Sequence, residues 1–285
     1  MINYKKRHFP TLSLLWWSFL CVLIGNQTIC YANDKPPIRV LYGGIERQDY
    51  YVELLQLALS YPTGAGYQLQ ASGLNLPKQR AFDLMNAHQG IDVLFGSISK
   101  TRLQQYSGIP FNILKGYNGW RVALINKTTP DILRGIHSKQ HLRRLIAGQF
   151  LTWSDTQILR ANDLTIDTST ELEGLYRMLE RKRIDYFPLS VLEISHLLDQ
   201  HPNSNLMIDP HILIFYPTAT WFYVAKDNEA LAAALLTGLQ QAQRDGSFDA
   251  LFQRHFGAAL SKLKLDTRTK IVLYNPLLPE TTNIQ

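Results

Sequence analysis

Residues 148–198 read GQFLTWSDTQILRANDLTIDTSTELEGLYRMLERKRIDYFPLSVLEISHLL, and their pattern sets the fold class of the chain. Three times a hydroxyl residue is followed three positions later by a carboxylate: Thr152 and Asp155, Thr168 and Glu171, Ser190 and Glu193. Each pair has the form of a capping box, so a helix is expected to open at each. Between them the apolar period changes. Leu172, Leu175, Tyr176 and Leu179 recur at helical spacing, whereas Ile184, Tyr186 and Phe187 form a compact run suited to a buried strand. The order helix, strand, helix, strand, helix is βαβ construction around a parallel sheet. In such units the helices begin near one sheet edge, and their free N–H groups and positive dipole ends face one crevice, which suits an anionic ligand.

Toward the N-terminus, Lys5, Lys6 and Arg7 precede the apolar run Leu12 to Ile24, and Cys30 and Ala32 place small residues at positions −3 and −1 of a cleavage site. Residues 1–32 are therefore read as a cleaved signal peptide. The apolar run falls short of the roughly 20 residues of a membrane span, and neither cysteine follows the small residues of a lipoprotein site. Both cysteines lie in this leader, so the remaining 253 residues are expected to be exported to the periplasm without disulfides and to depend on a hydrophobic core. That portion carries 26 basic and 23 acidic residues, a net charge of +3. Its basic residues are scattered, and the denser groups at Arg143/Arg144 and Arg181 to Arg183 lie beside expected helix ends, where cations favour the dipole. This is no nucleic-acid signature.

Ahead of the opening stretch, Ile38 to Leu41 reads as a strand ending at Gly43-Gly44, and Asp49 to Ser60 as a helix with Tyr51, Leu54, Leu55 and Ala58 on its apolar face. Tyr67 to Ala71 repeats the strand, Pro77 opens a helix running to about His88, and Ile91 to Phe95 is a buried strand followed by the turn Gly96-Ser97-Ile98-Ser99-Lys100-Thr101-Arg102. Ile109 to Leu114 and Trp120 to Asn126 are extended, and the polar connection Lys127 to His141 reads as a crossing between lobes. Beyond the opening stretch, Leu206 to Val224 is extended, Asn228 caps a strong helix with Leu231, Leu235, Leu239 and Ala242 on one face, and a short helix ends at Gly257. Residues 258–285 read as a loosely attached tail.

No HExxH, paired-cysteine, GxSxG or phosphate-loop motif is present, and the histidines at 88, 137, 141, 196, 201, 211 and 255 show no metal-ligand spacing, so neither metal nor cofactor is expected. What remains is a turn able to grip a carboxylate. Arg102 offers a bidentate fork, and Ser97 stands five residues before it at the end of a buried strand. A surface arginine at a helix start would show the same local pattern. Tyr42, Tyr117, Trp120 and Trp153 are candidate aromatic walls, with packing as the alternative for each.

The segment SISKTR, followed by paired strands and GWRVALINK, resembles the first-lobe signature of the amino-acid-type extracellular solute-binding proteins, the periplasmic components of ABC importers. ERKRIDYF is similar to that family's second-lobe strand, and FYVAKDNEALAAALLTGLQQAQRDGSFDALFQRHFG resembles its closing strand and helix pair. The resemblance covers most of residues 38–257. It places the family's first-lobe serine on Ser97 and its carboxylate-gripping arginine on Arg102, whose side chain would then point into the open cleft. The second-lobe hydroxyl falls on Thr152, which is also an expected cap. Where many members carry an aspartate for the ligand's ammonium group, this chain has Ser190, and Glu193 is taken up by the expected capping box. Arg121 is either a second anion contact or the partner of a surface carboxylate.

The fold so implied is a two-lobed α/β protein of the type II periplasmic binding class, with lobe 1 at 33–126 and 219–257 and lobe 2 at 127–218. The implied function is capture of a carboxylate-bearing solute, an amino acid or a relative of one, by hinge closure, for import or sensing, with Ser97, Arg102, Arg121, Thr152 and Trp153 as candidate contacts. A monomer partnered by an inner-membrane permease or sensor is expected. The alternatives are a periplasmic enzyme on this scaffold that dehydrates a cyclic carboxylate, with Glu193 or His196 as its acid or base, and an interaction module without a ligand.

Overall fold

The computed structural model describes residues 36–279, so the leader lies outside the described residues. Strand β1 (Ile38–Tyr42) runs parallel to β2 (Tyr67–Ala71), with α1 (Tyr50–Leu59) between them in sequence. Asp49 caps α1: its carboxylate accepts from the Val52 N–H at 3.0 Å. Helix α2 (Lys78–Asn86) leads to β3 (Leu94–Ser97), which a parallel bridge between Tyr42 and Val93 ties to β1. Helix α3 (Lys100–Gln105) is capped by the Ser99 hydroxyl, and β4 (Ser107–Gly108) follows.

The chain then leaves this sheet. β5 (Trp120–Asn126), α4 (Lys139–Leu142), β6 (Ile146–Phe150), α5 (Ser154–Ala161), β7 (Thr165–Ser169), α6 (Leu172–Glu180), β8 (Phe187–Ser190), α7 (Ile194–Asp199), β9 (Leu206–Ile208) and β10 (Ile212–Phe215) build the second lobe. β6 pairs with β7 in parallel, a bridge from Ala147 to Tyr186 ties them to β8, and β5 runs antiparallel to β8, β9 and β10. β5 is the axis of this lobe, buried on both faces: Val122 and Leu124 enter one core, Ala123 and Ile125 the other.

The chain returns through β11 (Thr220–Val224), inserted antiparallel between β3 and β4. Its side chains alternate in the same way, Phe222 and Val224 packing under α1, α8 (Glu229–Arg244) and α9 (Ser247–Phe252), and Trp221 and Tyr223 against Phe82 and Met85 of α2. Gly238 sets the spacing of two helices. A Cβ there would lie 1.9 Å from the Ala58 carbonyl oxygen of α1, so only glycine lets α8 approach this closely. Among the described residues no helix is long and apolar enough to cross a membrane.

Three expectations are corrected. The lobe boundary at 126 is displaced, because β5 pairs with second-lobe strands rather than with β3, and residues 127–141 are a connection inside that lobe. The crossings lie at 116–119 and 216–219, where the Tyr216 N–H donates to the Gly119 carbonyl at 3.0 Å and a Cβ on Gly119 would meet the Tyr216 carbonyl oxygen at 2.0 Å. Nor is 258–279 loose. After α10 (Ala258–Lys262), strand β12 (Thr269–Val272) adds to β10 in parallel, burying Ile271 and Leu273. The chain then recrosses: Asn162 brackets the Tyr274 backbone with two hydrogen bonds, Asn275 donates to the Pro217 carbonyl, and the Leu277 carbonyl accepts from the Lys100 N–H at 3.3 Å. Leu277 packs on the second lobe and Leu278 on the first.

Candidate functional site

Between the lobes lies a cavity of about 500 Å³. Lobe 1 contributes Ser97, Ser99 and Arg102 from the β3–α3 turn and Lys78 from the start of α2, and lobe 2 contributes Arg121, Thr152, Trp153, Asp155, Ser190 and Glu193. The five residues singled out in the sequence, Ser97, Arg102, Arg121, Thr152 and Trp153, therefore share one cleft. The strand and helix ends that face it are those the βαβ pattern placed there.

Arg102 is held more firmly than the sequence suggests. Rather than pointing freely into solvent, it donates from Nη1 to the Ser97 carbonyl at 2.5 Å and lies 5.1 Å over the Phe82 ring, half-buried. Desolvation draws its pKa down, opposed by the Tyr223 and Tyr106 phenols. The Ser97 hydroxyl accepts from the Asn118 side chain at 3.2 Å, which leaves its own proton available to a ligand.

On the facing wall Arg121 pairs with a carboxylate, but a buried one. Its Nε lies 2.6 Å from Asp155, which also accepts from the Tyr216 hydroxyl, and its Nη1 is buried without a hydrogen-bond partner among the described residues. Burial pulls the Arg121 pKa down, and Asp155 and Tyr216 outweigh it, so the guanidinium is held above its ordinary value. Burial pushes the Tyr216 phenol well up.

The three capping boxes are not formed. α5 opens after Trp153, which makes no side-chain cap, and the Thr152 hydroxyl is uncommitted among the described residues. Thr168 lies within β7, and it is the Ser169 hydroxyl that accepts from the Glu171 N–H at 3.0 Å. Ser190 ends β8 and accepts from the Leu192 N–H at 3.3 Å; Glu193 stands at the N-cap of α7 without capping it. β7 and β8 run on into the positions where the pattern placed the second and third caps, so the Ser169 and Ser190 hydroxyls serve turns instead. Trp153 lines the cleft and stacks on Phe150 at 5.5 Å and Phe187 at 6.2 Å, so both readings of it hold. Tyr117 and Trp120 pack on each other outside the cleft, and Tyr42 faces a separate cavity of the first lobe.

Two cleft residues were assigned differently or missed in the sequence. Glu193, read there as half of a capping box or as the acid or base of the enzyme alternative, is exposed, and its carboxylate accepts no hydrogen bond among the described residues. Lys78 follows Pro77 in the first turn of α2, with no local signal of a site. As a residue it is exposed, yet its ammonium is crowded by protein 5.2 Å over the Phe95 ring. Desolvation there, then Arg102, draw its pKa down to about 8, against the opposing pull of Glu193.

No known family's sequence profile matches the chain. It is 25% identical over 242 residues to the membrane-bound lytic murein transglycosylase F of Photobacterium profundum, a match covering 76% of this chain and 44% of that protein. The chain thus spans less than half the length of that curated relative. Among solved structures it is similar to a probable amino-acid ABC transporter extracellular-binding protein of Bacillus subtilis, with a TM-score of 0.62, 15% identity, and 78% of this chain and 98% of that one covered. It is also similar to an ancestral amino-acid-binding protein described as a precursor of cyclohexadienyl dehydratase, with a TM-score of 0.56, 11% identity, and 76% and 95% of the two chains covered. The fold is therefore the two-lobed α/β fold of the periplasmic binding proteins.

Proposed function

We propose that this chain captures a small carboxylate-bearing solute, an amino acid or a relative of one, in the cleft between its lobes, and does so in the periplasm for a membrane permease or sensor. The observation that carries this reading is the convergence of Arg102 and Ser97 from one lobe on Thr152 and the unpartnered Arg121 Nη1 from the other. An anion bridging them gains contacts in the closed state that the open state lacks, which is the condition for ligand-driven closure. Cleavage of the leader, with the mature chain starting at Asn33, belongs to the same reading. Titration calorimetry and thermal melting against amino acids, other carboxylates and murein fragments test it. A bound ligand at a hundredfold its Kd adds about 2.7 kcal/mol of stability, seen as a raised Tm. A panel without any carboxylate binder would reject the reading.

The enzyme alternative draws support from Glu193, an acid in the cleft with no structural commitment, and from the name of the dehydratase precursor. Elimination from a cyclic carboxylate would need such a group to move a proton. Turnover of such a substrate, lost in Glu193→Gln with unchanged melting, would establish it; absence of turnover leaves binding as the function.

A further inference from the structure

A second cavity, of about 260 Å³, lies wholly inside the first lobe, at the carboxyl end of β1 and the amino end of β3. Its walls are apolar: Val52 and Leu55 of α1, Val93, Leu94 and Phe95 at β3, and Leu76 from the loop before α2. The Tyr51 and Phe95 rings, stacked at 3.6 Å, complete one side. No carboxylate lines it. Of its two cations, Arg47 is already committed, its Nε 2.6 Å from Asp49 and its Nη1 donating to the Gly43 carbonyl at 3.1 Å. Lys78 makes no ion pair among the described residues, and it lines both this cavity and the interlobe cleft. The two spaces therefore meet at an ammonium group without an ion-pair partner among the described residues.

We propose that this cavity receives the apolar portion of the captured solute, and that the ligand class is a carboxylate bearing an uncharged phenyl or branched alkyl group, its anionic end between Lys78 and Arg102. The proposal rests on the carboxylate-capture reading and narrows it. An apolar cavity of about 150 Å³ suffices for benzene, so the space here holds a phenyl ring with a short methylene chain. A cationic tail, as in arginine or lysine, would meet Lys78 with no acid in the cavity lining to receive it, and an acidic or hydroxylated tail would lose water to apolar walls.

The test titrates wild-type protein and Leu76→Trp with acetate, butyrate, phenylacetate, 3-phenylpropionate, 4-phenylbutyrate and arginine, with ligand-free melting curves alongside. At least one phenyl acid is expected to bind about thirtyfold tighter than its unsubstituted counterpart, the effect of burying one such ring. Leu76 is a half-buried loop residue, so the indole is expected to fill the cavity mouth without unfolding the lobe and to collapse the phenyl-to-alkyl affinity ratio. Equal affinities of phenyl and alkyl acids, or a ratio that survives in Leu76→Trp with intact melting, overturn the proposal and leave carboxylate capture standing. Tighter binding of arginine than of every phenyl acid also overturns it. Failure of all six ligands to bind overturns the proposal, and carboxylate capture is then decided by the wider panel of amino acids, carboxylates and murein fragments.

Discussion

Arg102 combines two tasks that the sequence presents as one. Its guanidinium caps the Ser97 carbonyl and covers Phe82, so it braces the turn that carries the cleft's hydroxyl. Arg102→Ala is therefore expected to lower ligand-free stability by about 1–2 kcal/mol through the lost hydrogen bond and ring contact, and carboxylate affinity by about 2–4 kcal/mol. Denaturant unfolding and calorimetry separate the two effects. Glu193 is the opposite case. Because it caps nothing, Glu193→Ala and Glu193→Gln should both leave stability within about 0.5 kcal/mol of wild type by denaturant unfolding. Lys78 carries the pH dependence. Its proton is drawn off near pH 8 rather than near its ordinary 10.5. A bound carboxylate favours the charged form, so binding takes up a proton above that point. Carboxylate affinity should fall as pH rises through about 8, and Lys78→Gln should remove the step. In the free protein the sign is the reverse. The unfolded chain holds more protons between pH 8 and 10.5, so this group's contribution to stability rises with pH there.

At the scale of elements, what was legible was what rests on period and caps that act alone. α1 with its apolar face, α8 with its Asn228 cap, and the helical stripe of α6 lie where the spacing put them. The hydroxyl-to-acid spacing failed at residues 152, 168 and 190 because a strand end followed by a turn has the same chemistry as a helix start. β3 was placed at Ile91 to Phe95 and forms at Leu94–Ser97, since the run's first residues form a bridge to β1 instead of a ladder with β11. The cleft's anion-binding turn was readable because one local segment carries it. Lys78, Asp155 and the lobe 1 cavity were not, because each depends on segments distant in sequence. Gly238 belongs here too, since only tertiary contact reveals its role. Gly238→Ala would drive a methyl into the Ala58 carbonyl and separate α8 from α1, at about 1–3 kcal/mol in denaturant unfolding, despite alanine's better helix propensity.

For the whole molecule, two ribbons at 116–119 and 216–219 join the lobes, and between them the Gly119–Tyr216 hydrogen bond defines where they bend. Loops of this kind absorb closure by small dihedral changes. β5 and β10 feed these ribbons and are buried in the second lobe, so that lobe should move as a rigid body. Its exposed strand β12 belongs to the same body through its pairing with β10.

The segment after β12 bears on this motion. A pair of adjacent ribbons makes a free pivot, whereas a third attachment set away from that pivot acts as a ligament and limits the arc. Residues 274–278 hold Asn162 and Pro217 at one end and the N-terminal turn of α3 at the other, the same turn that carries Arg102. Opening the cleft further would stretch this ligament, so its tension would be felt at the arginine before a ligand arrives. A chain ending at Leu273 should show a larger radius of gyration without ligand by small-angle scattering. Its Tm should fall by about 2–8 °C, the equivalent of roughly 1–2 kcal/mol. Its carboxylate on-rate should rise while its affinity falls, because the mouth would open wider and the anion grip would no longer be set in advance.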